Sequence, residues 1–152
     1  ATPSEVRTAL NDRVMLSPSL EMGSGPFQET TASWAAREPA TPGERYAAAS
    51  FYCSLMTATC LELIGADGPI IVEGPFAANE LYLGMLAAAC GRPVATGAGS
   101  VTGTAIGAAM LANCAGRNPV PQPRRNSGSI YMGAFQEYLT LWRAKVAARP
   151  AS

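Results

Sequence analysis

The chain of 152 residues contains no histidine, which removes the commonest general base and a favoured metal ligand at neutral pH. A Ser-His-Asp hydrolase triad in its usual form is thereby excluded. Charge is also scarce: 14% of residues are Asp, Glu, Lys or Arg, and 11 basic against 11 acidic side chains give a net charge of zero. The one like-charged pair of note is Arg124-Arg125, in a proline-rich stretch, so neither nucleic acid nor an anionic membrane surface is an expected partner. No apolar run of about 18 residues occurs and no basic-then-apolar leader opens the chain, so no membrane span or secretion signal is expected. Cys53, Cys60, Cys90 and Cys114 lie in apolar, helical-looking segments without CxxC spacing. They read as reduced, buried thiols of a cytoplasmic protein, not as disulfides or a zinc site.

What is present is apolar: a hydrophobic share of 48% suffices for one domain with a real core and is too short a chain for two. Ser4 to Leu10 reads as a short helix capped by Ser4 and ending near Asn11-Asp12. Between Arg13 and Ala40, Pro18, Gly23-Ser24-Gly25-Pro26 and Pro39 punctuate a stretch that reads as surface loop, with Val14-Met15-Leu16 as its one short strand. Thr41-Pro42-Gly43-Glu44 then supplies an N-cap, a first-position proline and an acidic third position, which start a helix that Gly65 stops after Ile64. Between Tyr46 and Ile64 that helix carries a single charge, Glu62, and a helix apolar nearly all round needs cover on more than one side.

The stretch from Ile70 to Leu86 reads as a buried strand, Pro69 to Glu73, turning on Gly74 into a helix from Phe76 to Cys90. Such a turn aims unpaired N–H groups and the positive end of a helix dipole at whatever sits beyond the strand, a geometry suited to phosphate or another anion. Arg92 to Thr96 reads as a second strand, Gly97 to Gly103 as a glycine-rich turn, and Thr104 to Ala112 as a helix of small residues. Asn118 to Gly128 reads as a linker or exposed loop, and Ser129 to Ala147 as an amphipathic helix with Tyr131, Phe135, Tyr138, Trp142 and Val146 on its apolar stripe. Strands separated by helices imply an α/β fold with a parallel sheet. Two or three strands are few for such apolar helices, which points to a missing part or a partner, a second copy of the chain included.

These residues resemble the C-terminal end of the FGGY carbohydrate kinases. Glu73-Gly74-Pro75-Phe76-Ala77-Ala78-Asn79 is similar to that family's adenosine motif, an acidic residue, two glycines, small residues and an asparagine opening a helix. Leu83 to Thr96 is similar to the helix and strand that follow it, and Thr104 to Ala109 to the small-residue helix that ends the nucleotide domain. The likeness is good over Tyr46 to Gly116 and weak outside it. It implies a ribonuclease H-like (actin-like ATPase) fold, of which this chain is a helix-strand-helix-strand-helix portion of the C-terminal domain, with an extra C-terminal helix and an incomplete sheet. The implied organisation is a loop-rich segment over 1–40, the adenosine-side α/β portion over 41–116, a proline-rich linker over 117–128 and the amphipathic helix over 129–152.

By the same resemblance the cofactors are ATP and Mg2+, and the cofactor-binding candidates are Gly74, Pro75, Phe76 and Asn79. Gly74 keeps the tight turn, and Asn79 reaches adenine or ribose from the first helical turn. Pro75 stands where the family's second glycine is usual, and it deletes one N–H donor that a phosphate could use. No residue of this chain is assigned a catalytic role or a metal. The resemblance implies a protein roughly three times as long, whose N-terminal domain holds the sugar, the catalytic aspartate and a first phosphate-binding turn and whose C-terminal domain opens with a second; neither turn is found in this sequence. Gly23-Ser24-Gly25 is read as surface loop and not as one of those turns. The implied function is the adenosine-binding wall of a sugar kinase, inactive alone. The alternative is an interaction domain that keeps the fold without nucleotide.

Overall fold

The computed structural model describes residues 1–96, 108, 111, 112, 124, 125 and 129–148. Helix α1 spans Pro3–Asn11 and is capped by Thr2, not Ser4: the Thr2 side chain accepts from the Glu5 N–H while the Glu5 carboxylate accepts from the Thr2 N–H. That reciprocal pair satisfies two N–H groups at the helix start, and the proline following Thr2 suits the first helical position. Helix α2 spans Pro42–Leu63, with the Thr41 side chain accepting from the Glu44 N–H at 3.1 Å. The Glu44 carboxylate does not complete a second box; it accepts from the Ala40 N–H at 2.8 Å and from Arg37 at 2.7 Å.

The stretch from Arg13 to Ala40 is not the surface loop its composition suggests. Strand β1, Leu16–Ser17, pairs antiparallel with β2, Ser33–Trp34. Val14, Met15, Ser17 and Ser19 are buried. The Gly23-Ser24-Gly25 loop is drawn over this hairpin by Ser19, whose hydroxyl lies 2.8 Å from the Glu21 carbonyl oxygen and 3.2 Å from that of Ser24. Apolar residues beside Pro18 thus join the core, which punctuation by proline and glycine conceals.

Strand β3, Ile70–Val72, pairs in parallel with β4, Val94–Thr96, in the register Ile70 to Val94 and Val72 to Thr96. The crossover between them is helical, as a parallel pair requires. It is not one helix from Phe76, however: a 3-10 turn over Gly74–Ala78 comes first, and helix α3 spans Glu80–Cys90 with Asn79 as its N-cap. The expected linker contains strand β5, Arg124–Arg125, antiparallel to β4. The sheet order is therefore β3-β4-β5, and β3 lies at its edge among the described residues. The expected turn over Gly97 to Gly103 and most of the helix over Thr104 to Ala112 lie outside the described residues; Ala108, Leu111 and Ala112 are helical.

Helix α4 spans Met132–Ala147 and buries Phe135, Tyr138, Leu139 and Trp142, the centre of the stripe its spacing announces. Phe51 of α2 meets Phe135 and Tyr138 edge-on, with ring centroids 5.4 and 5.2 Å apart. Tyr138 donates to the Val14 carbonyl and Trp142 to the Leu16 carbonyl, each at 2.9 Å. One core thus joins α1, the β1-β2 hairpin and helices α2, α3 and α4. Helix α2 is covered along its middle, as its near-absence of charge requires, but its last turn leaves Leu63 and Ile64 exposed. Among the described cysteines, Cys53 and Cys90 are half-buried and Cys60 is exposed, contrary to the expectation that all would be buried. Burial pushes the Cys53 and Cys90 thiols up, which disfavours their thiolates.

Candidate functional site

Strand β3 ends at Val72, and the chain turns at Gly74, whose φ is +73°. An L side chain is strained in that left-handed region, which is why glycine stands there. No atom lies within 4 Å of where a Cβ on Gly74 would be. Backbone conformation, not crowding, therefore requires the residue, and the space beside it is open. Pro75 and Phe76 continue the 3-10 turn. Phe76 is 46% exposed, and its ring meets that of Tyr82 at a tilt, with centroids 4.8 Å apart and an interplanar angle of 52°.

Asn79 is where the turn becomes α3. Its Oδ1 accepts from the Tyr82 N–H at 3.0 Å and caps the helix, while its Nδ2 donates to Ser50 Oγ on α2 at 2.9 Å. Tyr82 in turn donates its hydroxyl to Thr57 at 3.1 Å, and Ser54 Oγ lies 2.9 Å from the Tyr82 carbonyl oxygen. The start of α3 is thus fastened to α2 by side chains that composition alone identifies only as small and polar.

Beside this junction lies a cavity of about 590 Å³, lined by Ala78, Asn79, Glu80, Leu81 and Gly84, by Tyr46 of α2, by the start of α1 and by Ser129 to Tyr131 ahead of α4. Pockets that enclose small ligands run from about 300 to 1,000 Å³, so the space is adequate for a nucleoside. Of the four sequence candidates, Asn79 lines it; Gly74, Pro75 and Phe76 do not. Tyr46 and Tyr131 also line it; the sequence marks Tyr131 only as part of an apolar stripe and Tyr46 only as a residue of an apolar helix, neither as a site residue. Among the described residues no Lys or Arg side chain lines the cavity; the first residue, Ala1, does, and Glu80 brings an acidic group to the helix start. That lining suits a neutral ring with hydrogen-bonding edges better than a phosphate. Among the described residues no group of three His, Cys, Asp or Glu side chains could hold a metal ion.

The profile of the family described as carbohydrate kinase FGGY, C-terminal domain, matches residues 1–121. The chain belongs to the FGGY carbohydrate kinases. The FGGY match begins at the first residue, so α1 and the β1-β2 hairpin belong to it as well, beyond the stretch from Tyr46 to Gly116 where the likeness is legible by eye. The crystal structure of a carbohydrate kinase from Novosphingobium aromaticivorans is similar to this chain, with TM-score 0.74 and 28% identity, over 94% of this chain and 31% of that one. The chain therefore spans about a third of the length of that kinase. No curated protein sequence matches the chain. Among the described residues of this FGGY domain, no helix is long and apolar enough to cross a membrane.

Proposed function

We propose that this domain forms the adenosine-binding wall of an ATP-dependent sugar kinase of ribonuclease H-like (actin-like ATPase) fold. The observation that carries the reading is the position of Asn79, at the mouth of a nucleoside-sized cavity and in the segment that resembles the family's adenosine motif. Each amide oxygen and amide nitrogen of asparagine supports two hydrogen bonds. Asn79 uses one at each end within the fold, which leaves one acceptor and one donor for a base edge or a ribose. Tyr46 and Tyr131 add ring surface beside it. ATP when bound supplies the phosphoryl group, with Mg2+ neutralising its oxygens. The residues of this domain would orient the nucleoside and exclude water from it, while the phosphates, the metal, the sugar and the proton-accepting carboxylate would be held elsewhere in the whole kinase. The domain contributes binding and no proton transfer, so the 152 residues alone are expected not to phosphorylate any sugar.

The alternative, an interaction domain that keeps the fold without nucleotide, is favoured by one specific feature. Pro75 lacks the N–H of the usual glycine, and Phe76 directs its ring to Tyr82 and not to the cavity.

Calorimetric titration of MgADP into the protein distinguishes the two. On the nucleotide reading MgADP binds, and Asn79→Ala weakens binding about tenfold or more, the loss of two hydrogen bonds. Heat-silent titration of a well-folded protein supports the interaction domain, whereas equal affinity in the variant shows that nucleotide binds elsewhere and overturns the wall at Asn79.

A further inference from the structure

We propose that Ser50 is a positioning residue for nucleotide recognition, acting through Asn79; the inference rests on the adenosine-wall reading above. Ser50 is 4% exposed and does not border the cavity. Its hydroxyl has one proton, and the Tyr46 carbonyl oxygen lies 2.8 Å away, four residues back in α2. With its proton donated there, Ser50 Oγ meets Asn79 only as an acceptor, at 2.9 Å. Asn79 must therefore turn its amide nitrogen toward Ser50. The opposite end obeys the same constraint, because the Tyr82 N–H requires the Asn79 oxygen at 3.0 Å.

The two contacts fix one of the two amide orientations, since a flipped carboxamide would set NH2 against N–H at Tyr82 and leave two oxygens facing at Ser50 once its proton is committed. The remaining donor and acceptor of Asn79 are thus offered in one fixed arrangement. The edges of adenine and guanine differ in the order of donors and acceptors, so an amide held at both ends discriminates between them more sharply than one held at the Tyr82 N–H alone, which can swing about that contact. Ser50 is anchored in the middle of a buried run: Ser54 Oγ lies 2.7 Å from the Ser50 carbonyl oxygen and 2.9 Å from that of Tyr82, on α3. The backbone on both sides of Asn79's anchor is thereby held.

The test is a double-mutant cycle on the protein, read as dissociation constants for MgATP and MgGTP, with Ser50→Ala, Asn79→Ala and the pair. Ser50→Ala is expected to weaken MgATP about three- to tenfold, the loss of one hydrogen bond, and to reduce the preference for MgATP over MgGTP. The double variant is expected to be no weaker than Asn79→Ala alone, because Ser50 has no route to the nucleotide except Asn79. Ser50→Thr, which keeps the hydroxyl, should restore the preference, and thermal melting of each variant separates a folding defect from a binding one. An unchanged MgATP-to-MgGTP ratio in Ser50→Ala, or additive losses in the double variant, overturns the assignment while a deleterious Asn79→Ala leaves the adenosine wall standing. If Asn79→Ala itself binds both nucleotides as the unmodified protein does, or nothing binds, the wall and this inference both fall.

Discussion

Glu5 serves the starts of two helices at once. Its carboxylate accepts from the Thr2 N–H at 2.8 Å in α1 and from the Thr41 hydroxyl at 2.7 Å beside α2, and it lies against Gly43, where a Cβ would collide with it. These hydrogen bonds, Thr2 first and Thr41 next, lower its pKa from the ordinary 4.5 to about 2. A carboxylate lowered by folding stabilises the fold fully above its unfolded value, and that contribution is lost as pH falls from about 4.5 toward 2. Glu44, lowered by Arg37 and by the Ala40 N–H, acts in the same direction. We therefore predict that the denaturation midpoint falls on acidification through this range, and that Glu5→Gln flattens part of the fall; urea melts at several pH values check it. At Gly74 the left-handed φ predicts that Gly74→Ala destabilises by about 1–2 kcal/mol through backbone strain alone, since nothing crowds the added methyl. Equilibrium urea unfolding reads that cost directly.

The long, regular elements were legible because their caps and spacings act locally. Thr41, Pro42 and Glu44 announce α2, and the spacing of Phe135, Tyr138 and Trp142 announces α4, since capping and a 3.6-residue period need no distant partner. The hairpin of β1 and β2 and the strand β5 were not legible, because each is two residues long and exists only by pairing with a segment far off in sequence. The same limit applied at the site. Asn79 stood out as an asparagine opening a helix, whereas the hydrogen bond from its amide nitrogen to Ser50 depends on how α2 and α3 pack. The contacts of Tyr46 and Tyr131 depend on how α2 and α4 dock. Helix α4 is also tied to the hairpin by Trp142, whose indole donates to the Leu16 carbonyl. Trp142→Phe keeps most of the ring but leaves that carbonyl without its donor, so a loss of about 1–3 kcal/mol is expected in unfolding experiments. Trp142→Tyr would not restore it, the hydroxyl lying beyond the indole nitrogen's position.

At the scale of the molecule, the edge of β3 away from β4 carries no partner strand among the described residues. Ladder geometry turns Ile70 and Val72 to β4, because the Ile70 N–H donates to the Pro93 carbonyl. Ile71 points its backbone groups the other way, and its side chain is 54% exposed. Parallel strands are ordinarily covered on both faces, and an open, apolar edge invites pairing with another strand. Together with the exposed Leu63, Ile64 and Phe76, this edge offers apolar surface that a second copy of the chain could cover. The 152 residues alone are accordingly expected to self-associate with rising concentration, through this edge; analytical ultracentrifugation of the chain and of Ile71→Lys checks it, the variant being the more monomeric.

The central claim is that the nucleoside of ATP lies against the start of α3. Photocrosslinking with 8-azidoadenosine triphosphate and Mg2+, followed by peptide mapping, tests it most directly. The account predicts labelled peptides that contain Ala78 to Leu81, with Tyr46 or Tyr131 the companion site, and protection by unlabelled ATP. Label confined to other segments, or label that excess ATP does not displace, would contradict it.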